Sequence, residues 1–509
     1  MCCNQFNRRE FFGASARMVA GAGLAAASLS SPAGASEWAS DMWDPGRPFQ
    51  AAGKPLYVQP VLMYRLPARR KATSWKSWGG IQTEAAAAEE TSRIAGELEA
   101  LARKAEFPIT VLPVQKVRSV EEASGLESAD ATVRIVYPAT GSGAMLRACI
   151  PEQGGMVFVR HQSGPVYYWY EALSVKYLKT DKDPQTPDEG RRLSVHDVVV
   201  DDTDELLWRL RAFYGVYNFL GTRVVALGGP GGKYAPGAPT AARDRYQFDI
   251  VEVSYDDLAK RIEGAMADPG CLAQAEGWTE SYLALPHTKL ATDRQFVVNA
   301  FVLYGLFKTI VLECEAQAFT INRCMSTILP MAKTTACLPL SLLNDEGLLS
   351  FCESDFVIIP AGVLLYYIAR KPVFLHNSTF PHNGIVTCAH CTAPRRMDAS
   401  RYEPAQILTH YESEYGAAPK VSIPEGQEVT FISPEYATTR WVGFKGTVES
   451  NPFYDICRSQ QDVRIHGNWK KLLNEVRDSH WVMVYGDYLR ELGYAAPRVG
   501  IVWENFSET

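Results

Sequence analysis

Four short stretches concentrate the side chains able to bind a cation or carry a proton: SLLNDEG at 341–347, CESD at 352–355, KPVFLHNS at 371–378 and TCAHCTAP at 387–394. Each sets carboxylate, amide or imidazole groups at the margin of an apolar run. Glu353 and Asp355 fall between Phe351 and the apolar sequence that starts at Phe356. Charges in such a setting must be solvated, paired or metal-bound, because unpaired burial is costly. His390 ends another apolar stretch, close after Val386. Glu353, a polar residue from the 376–377 loop and His390 could therefore converge as oxygen and nitrogen ligands of a divalent ion. Each also has a plainer reading taken singly. Carboxylates near helix starts serve as caps, and a His beside a strand is commonly a hydrogen-bonded core residue.

Positioning these residues falls to elements readable from apolar periodicity. A strand at Leu56–Met63 precedes an amphipathic helix over 82–105, followed by strands near Ile109–Leu112, Val133–Val136, Met156–Val159 and Val198–Val200. Helical patterns fall at Val166–Leu178 and Asp204–Phe219. Short apolar strands alternating with helices predict an open, mostly parallel α/β sheet. A second unit starts near Thr222, where TRVVALGGPGGKYAP reads as a strand entering a glycine-rich loop. Its glycines fit neither GxGxxG nor GxxxxGK[ST], so the loop reads as a turn at the carboxyl end of a strand or as a loose phosphate cradle. From about Ala399 short β-rich runs such as Glu428–Ile432 and Trp441–Val448 alternate with Gly, Pro and Asn, which predicts an antiparallel or barrel-like domain.

The strings CLPLSLLNDEGLLSFCESD at 337–355, KPVFLHN at 371–377, TCAHCTAP at 387–394 and HWVMVYGDYLRELGY at 480–494 resemble the L-fucose isomerase-like group, whose relatives include L-arabinose isomerases. Echoes continue at His410, Tyr411, Glu412 and Ser413. The resemblance implies two α/β domains with Rossmann-like parallel sheets, a C-terminal β-rich domain, and assembly as a homotrimer or homohexamer. It implies Mn2+ held by a Glu, a second carboxylate and a His, with aldose and ketose interconverted through an enediol. The Glu matches Glu353 and the His matches His390. The second carboxylate should fall in the KPVFLHNS loop, where this chain offers only His376 and Asn377 as candidate ligands.

Proton abstraction beside a carbonyl builds negative charge on oxygen, which a divalent cation stabilises, and a carboxylate must take the proton. Glu353 could be both ligand and base. Asp345 and Glu346 could supply a missing base, or the Asn-Asp-Glu-Gly string could be a turn and cap. His410 and Glu412 are candidates to bind substrate hydroxyls, and His480 to line the rim. The expected function is a metal-dependent aldose–ketose isomerase or epimerase. A lyase or deglycosylating enzyme using the same proton abstraction on an oxidised glycoside, or a non-catalytic carbohydrate-binding protein, is the alternative. Trp75, Trp78, Tyr167, Tyr168, Trp169, Arg65 and Arg69 could bind a sugar face or an acidic group, or simply pack.

The N-terminus reads NRREFFGASARMVAGAGLAAASLSSPAGASE: Arg8 and Arg9, then Phe11 and Phe12, a weakly apolar run, and Ala33-Gly34-Ala35. That order predicts a twin-arginine signal peptide over 1–35, export through the twin-arginine translocase, and a periplasmic or extracellular mature protein. The expected layout continues with an arm at 36–54, a first α/β domain at 55–221, a second at 222–398 carrying the metal site, and a β-rich domain at 399–509. Of the 11 cysteines, Cys2 and Cys3 fall in the leader and leave an odd number, unlike a secreted disulfide framework. The CxxC at Cys388 and Cys391 lacks the second pair that a structural zinc would need. A net charge of −6 gives no reason to expect nucleic acid as partner, and no stretch after the leader reads as a permanent membrane span.

Overall fold

The computed structural model describes residues 38–39, 41–126, 131–151, 154–167, 178–179, 193–437, 439–474 and 479–508. Residues 1–35, where a signal peptide is expected, most of the helix expected at Val166–Leu178, and Tyr168 and Trp169 lie outside the described residues. The chain forms two units, one built from Lys54–Phe213 and the other from Ser30–Gly53 together with Tyr214–Thr509.

In the first unit, strands β1 (Leu56–Met63), β2 (Ile109–Val111), β3 (Gln115–Val117), β4 (Val133–Pro138) and β5 (Met156–Val159) form before two short strands, β6 (Leu178–Lys179) and β7 (Leu193–Ser194), and then β8 (Val198–Val200). The main sheet runs β2-β1-β4-β5-β8, with β3 also on β1, and every pairing is parallel. Its central strands β1, β4 and β5 are buried along nearly their whole length, as in a covered parallel sheet, while β2, β3 and β8 keep exposed positions. The helix Glu84–Lys104 starts where the Thr83 side chain accepts the Ala86 N–H, and it buries Ala87, Ile94, Leu98 and Leu101. Those positions lie on one stripe at helical spacing. Arg160, fully buried, is neutralised by Glu90 at 2.5 Å and Glu97 at 2.6 Å.

The second unit contains a four-stranded parallel sheet of β9 (Arg223–Leu227), β10 (Asp249–Val253), β12 (Ala318–Ile321) and β13 (Leu349–Phe351), in the order β10-β9-β12-β13. Between its strands falls β11 (Thr288–Leu290), which joins β16 (Ala405–Leu408) and β17 (Ala418–Val421) in a small separate sheet. The helix Arg294–Glu313 is long and apolar enough to cross a bilayer, yet 72% of its apolar window is buried inside the fold, as in a core helix. The helix Ile359–Ala369 is buried all round, in keeping with its uniformly apolar sequence.

The barrel is closed by six antiparallel strands, β14 (Phe374–Ser378), β15 (Ile385–His390), β18 (Glu428–Pro434), β19 (Arg440–Ser450), β20 (Ser459–His466) and β21 (His480–Tyr485). Pairing runs β18-β21-β14-β15-β20-β19 and returns to β18, so no edge is left open among these six. A last strand, β22 (Val502–Asn505), adds in parallel to β19. Phe431 stacks on Phe444 at 4.6 Å and Trp481 meets Phe444 at 5.5 Å, an aromatic core for the barrel. Two of the six strands, β14 and β15, precede residue 399, where the β-rich region was expected to open. The reason is pairing: β14 finds its partner in β21, about a hundred residues later, and β15 finds its partner in β20.

Candidate metal centre

The candidate residues gather at the carboxyl edge of the parallel sheet in the second unit, where open α/β sheets commonly bind ligands. Strand β13 ends at Phe351 and the chain then turns through Glu353 (φ 65°) and Ser354 (φ 51°). Two consecutive non-glycine residues in the left-handed region each cost about 1–3 kcal/mol and persist only where surrounding bonds over-determine them. Those bonds are present. The Ser354 hydroxyl donates to the Gly229 carbonyl at 2.9 Å, and the Ser354 carbonyl accepts the Gly231 N–H at 3.0 Å. Asp355, fully buried, accepts the N–H groups of Lys233 and Val357 at 3.0 and 3.1 Å on Oδ1.

The glycine-rich loop is thereby a structural clasp. Its Gly228, Gly229, Gly231 and Lys233 amides are spent on Val253, Ala226, Ser354 and Asp355, which argues against a phosphate cradle. A Cβ at Gly232 would lie 2.2 Å from the Ala235 carbonyl oxygen, so only glycine fits this tight turn. The clasp carries Lys233 inward, placing its Nζ 3.4 Å from Glu353 Oε2 and 3.4 Å from His480 Nε2.

Barrel strands supply the imidazoles. His480 opens β21 and His390 closes β15. Glu353, His390 and His480 each offer a ligand atom, and these atoms lie within 4.8 Å of one another. Glu353 Oε1 is 3.8 Å from His390 Nε2, and Oε2 is 3.4 Å from His480 Nε2. Among the described residues this is the one group of three such side chains able to share an ion. Both histidines are held through the other ring nitrogen: His480 Nδ1 meets Asp355 Oδ2 at 2.7 Å, and His390 Nδ1 meets the Thr392 hydroxyl at 3.0 Å. A carboxylate accepts only, so Nδ1 of His480 carries the proton toward Asp355. Outer-shell bonding of this kind orients metal-ligating imidazoles.

Electrostatics agree with an ionised cluster. Burial acts to raise the Glu353 carboxyl, but hydrogen bonds and charge from His390 and His480 outweigh it and hold the group well below the usual carboxylate range. Burial alone would lower His480; its contacts with Asp355 and Glu353 reverse this and lift it to about 9. His390 is lowered by burial, with Glu353 opposing. One carboxylate oxygen and two imidazole nitrogens suit a first-row divalent ion and leave coordination positions for substrate.

The other candidate residues lie as follows. Asn377 stands directly opposite His480 and Ala389 in the ladders. His376 packs among Phe374, Phe431 and Trp481, its Nδ1 meets the Ser378 hydroxyl at 3.1 Å, and burial lowers it to about 3. His410 is buried, with its pKa lowered by burial and then influenced by Glu412 and His390, while Glu412 is exposed. Asp345 and Glu346 have other partners. Asp345 Oδ1 accepts the Arg395 and Arg396 N–H groups at 2.7 and 2.8 Å. Glu346 pairs with Lys308 at 2.7 Å and accepts the Tyr304 hydroxyl.

Sequence reasoning placed His480 at the rim and passed over Lys233 and Asp355 as participants. A signal existed for each: Lys233 ends the glycine run, and Asp355 stands two residues from Glu353. No protein-family model matches this chain, and no curated protein matches it.

Proposed function

We propose that this protein is a divalent-metal-dependent aldose–ketose isomerase or epimerase, with Glu353, His390 and His480 as ligands and Mn2+ as the metal. The observation that carries the reading is the ligand set itself: one ionised carboxylate and two imidazoles, each fixed through Nδ1, at the carboxyl edge of a parallel sheet. The motif resemblance at 337–355, 371–377, 387–394 and 480–494 supports the sugar as substrate and extends the reading to two Rossmann-like α/β domains and a homotrimer or homohexamer. The paired arginines of the leader support export through the twin-arginine translocase and work in the periplasm or outside the cell.

A bound divalent ion supplies Lewis acidity toward the carbonyl and hydroxyl oxygens of an open-chain sugar. The chain's own groups do the rest. Glu353, kept ionised and 42% exposed, is placed to take the proton from the carbon beside the carbonyl. Returning that proton to the former carbonyl carbon, while the hydroxyl proton passes from one substrate oxygen to the other, completes an enediol-mediated shift of the carbonyl. Asp355 accepts the Nδ1 proton of His480, which leaves Nε2 as the ligating atom once the other ring proton is displaced, and Thr392 positions His390. Asn377 stands where the resemblance calls for a second carboxylate, and this favours a second reading, cleavage of an oxidised glycoside after the same proton abstraction.

The test is exchange and product analysis with Mn2+-loaded protein in D2O against a panel of aldoses, ketoses and oxidised glycosides. Deuterium incorporation beside the carbonyl with aldose–ketose conversion, both lost in Glu353→Gln, is expected. Exchange with release of an aglycone would move the assignment to the lyase. Metal-loaded protein that neither exchanges that hydrogen nor turns over any of the panel would overturn both.

A further inference from the structure

The Lys233 ammonium occupies a position that a bound metal would contest. Its Nζ lies 3.4 Å from Glu353 Oε2 and 3.4 Å from His480 Nε2, both ligand atoms of the proposed centre. A divalent ion bonds such atoms at about 2.0–2.2 Å, so the two cations would compete for one small volume. A single and a double positive charge at that separation repel strongly, because the surroundings screen them far less than bulk water does.

The backbone beneath Lys233 has no freedom to retreat. Gly231 and Asp355 form a parallel bridge, with the Gly231 N–H on the Ser354 carbonyl at 3.0 Å and the Phe356 N–H on the Gly231 carbonyl at 3.0 Å. The Lys233 N–H is held on Asp355 Oδ1 at 3.0 Å. Asp355 thus anchors the imidazole of one ligand and the main chain of the competing cation together. Only the four-carbon stem can move, and its 28% exposure gives it a way out toward solvent.

We propose that Lys233 is an internal stand-in cation: it compensates Glu353 when no metal is bound and must swing out of the ligand cluster for a divalent ion to enter. The inference rests on the metal-centre reading above. Lys233 is therefore a positioning residue that sets metal affinity, and its removal strengthens binding where loss of a ligand would weaken it.

The experiment is equilibrium dialysis of the purified full chain against Mn2+, comparing wild type, Lys233→Met, Lys233→Arg and Glu353→Gln at fixed ionic strength, with circular dichroism on each. Lys233→Met keeps the stem and removes the charge, and is expected to bind Mn2+ about tenfold more tightly than wild type. Lys233→Arg keeps the charge and is expected to show no gain. Glu353→Gln is expected to lose binding. Should Lys233→Met lose its fold, Lys233→Ala carries the same expectation. Equal finite affinities for wild type and the uncharged variants, or weaker binding by those variants, would overturn the displacement while leaving the metal centre standing. No Mn2+ uptake by any of the proteins would overturn the centre and this inference together.

Discussion

Asp355 is the residue on which the proposed centre turns, because its two oxygens serve different neighbours. Oδ1 fixes the backbone of the glycine-rich loop and Oδ2 fixes His480. In Asp355→Asn the amide nitrogen facing His480 would demand a lone pair on Nδ1 and drive the proton to Nε2, the ligating atom. Losing an outer partner of this kind typically costs 10–100-fold in metal affinity. Asp355→Asn is therefore expected to bind Mn2+ about 10–100-fold more weakly with its circular dichroism retained; unchanged affinity in a folded variant would contradict the assignment. Asp345 supports a separate prediction about stability. Burial lifts its carboxyl to about 7, against opposing contributions from the Arg396 N–H and the Arg395 charge. The unfolded chain releases that proton near pH 4 (about 3.9). Between about pH 4 and 7 the folded state thus holds a proton that the unfolded state has lost, so stability falls as pH rises across this window and levels off above it. Asparagine cannot ionise. Asp345→Asn should gain stability relative to wild type on going from pH 5 to pH 8, read as the shift between their urea midpoints, and a pH-independent difference would refute the titration.

Elements explain how much of this arrangement was legible beforehand. Strands such as Leu56–Met63 and Met156–Val159 are short, largely apolar runs, and they form over those same residues. Local sequence suffices for them, because a parallel strand covered on both faces is apolar throughout. Membership of the barrel is not local. His480 meets the site because β21 pairs antiparallel with β14 in the register that sets His480 opposite Asn377, and no neighbouring residue encodes that register. Lys233 reaches the cluster through one bridge between Gly231 and Asp355, across more than a hundred residues. The buried helix Ile359–Ala369 packs against Phe351 of β13 and Val482 of β21, and Gly362 sets how closely it approaches them. A Cβ there would lie 2.5 Å from the Phe351 ring and 3.5 Å from Val482. Alanine would ordinarily favour a helix by about 1 kcal/mol, but overpacking a rigid ring costs about 1–3 kcal/mol and strains the strand that ends just before Glu353. Gly362→Ala should lower the urea midpoint and loosen Mn2+ binding together; a stabilised variant would show that the helix has room to shift.

On the scale of the whole molecule, the second unit is closed by a segment that precedes the first in sequence. Ser30–Gly53 belongs with Tyr214–Thr509, so the expected surface arm is in its described part an internal component of the later unit. Trp43 is 2% exposed and packs edge-on against Phe301 at 5.0 Å and beside Tyr282 at 6.2 Å. The Met42 carbonyl accepts from the buried Lys308 ammonium, and the Arg47 carbonyl accepts from Arg396 at 3.0 Å. The Ala52 N–H donates to the Tyr366 hydroxyl at 2.8 Å. These bonds give the buried Lys308 and Arg396 cations and the Tyr366 hydroxyl additional backbone partners inside the fold, where polar groups need them. Removing the indole takes away its transfer energy and leaves a cavity between helices that cannot fully collapse, a change worth about 3–5 kcal/mol. Because the arm contributes to one unit only, the damage should be regional. Trp43→Ala is expected to speed hydrogen exchange in the helices Pro269–Leu283 and Arg294–Glu313 while leaving the strands Leu56–Met63 and Val133–Pro138 protected as in wild type. Uniform loss of protection in both units would mean that they unfold as one body, and the arm would then be a determinant of the whole chain's stability.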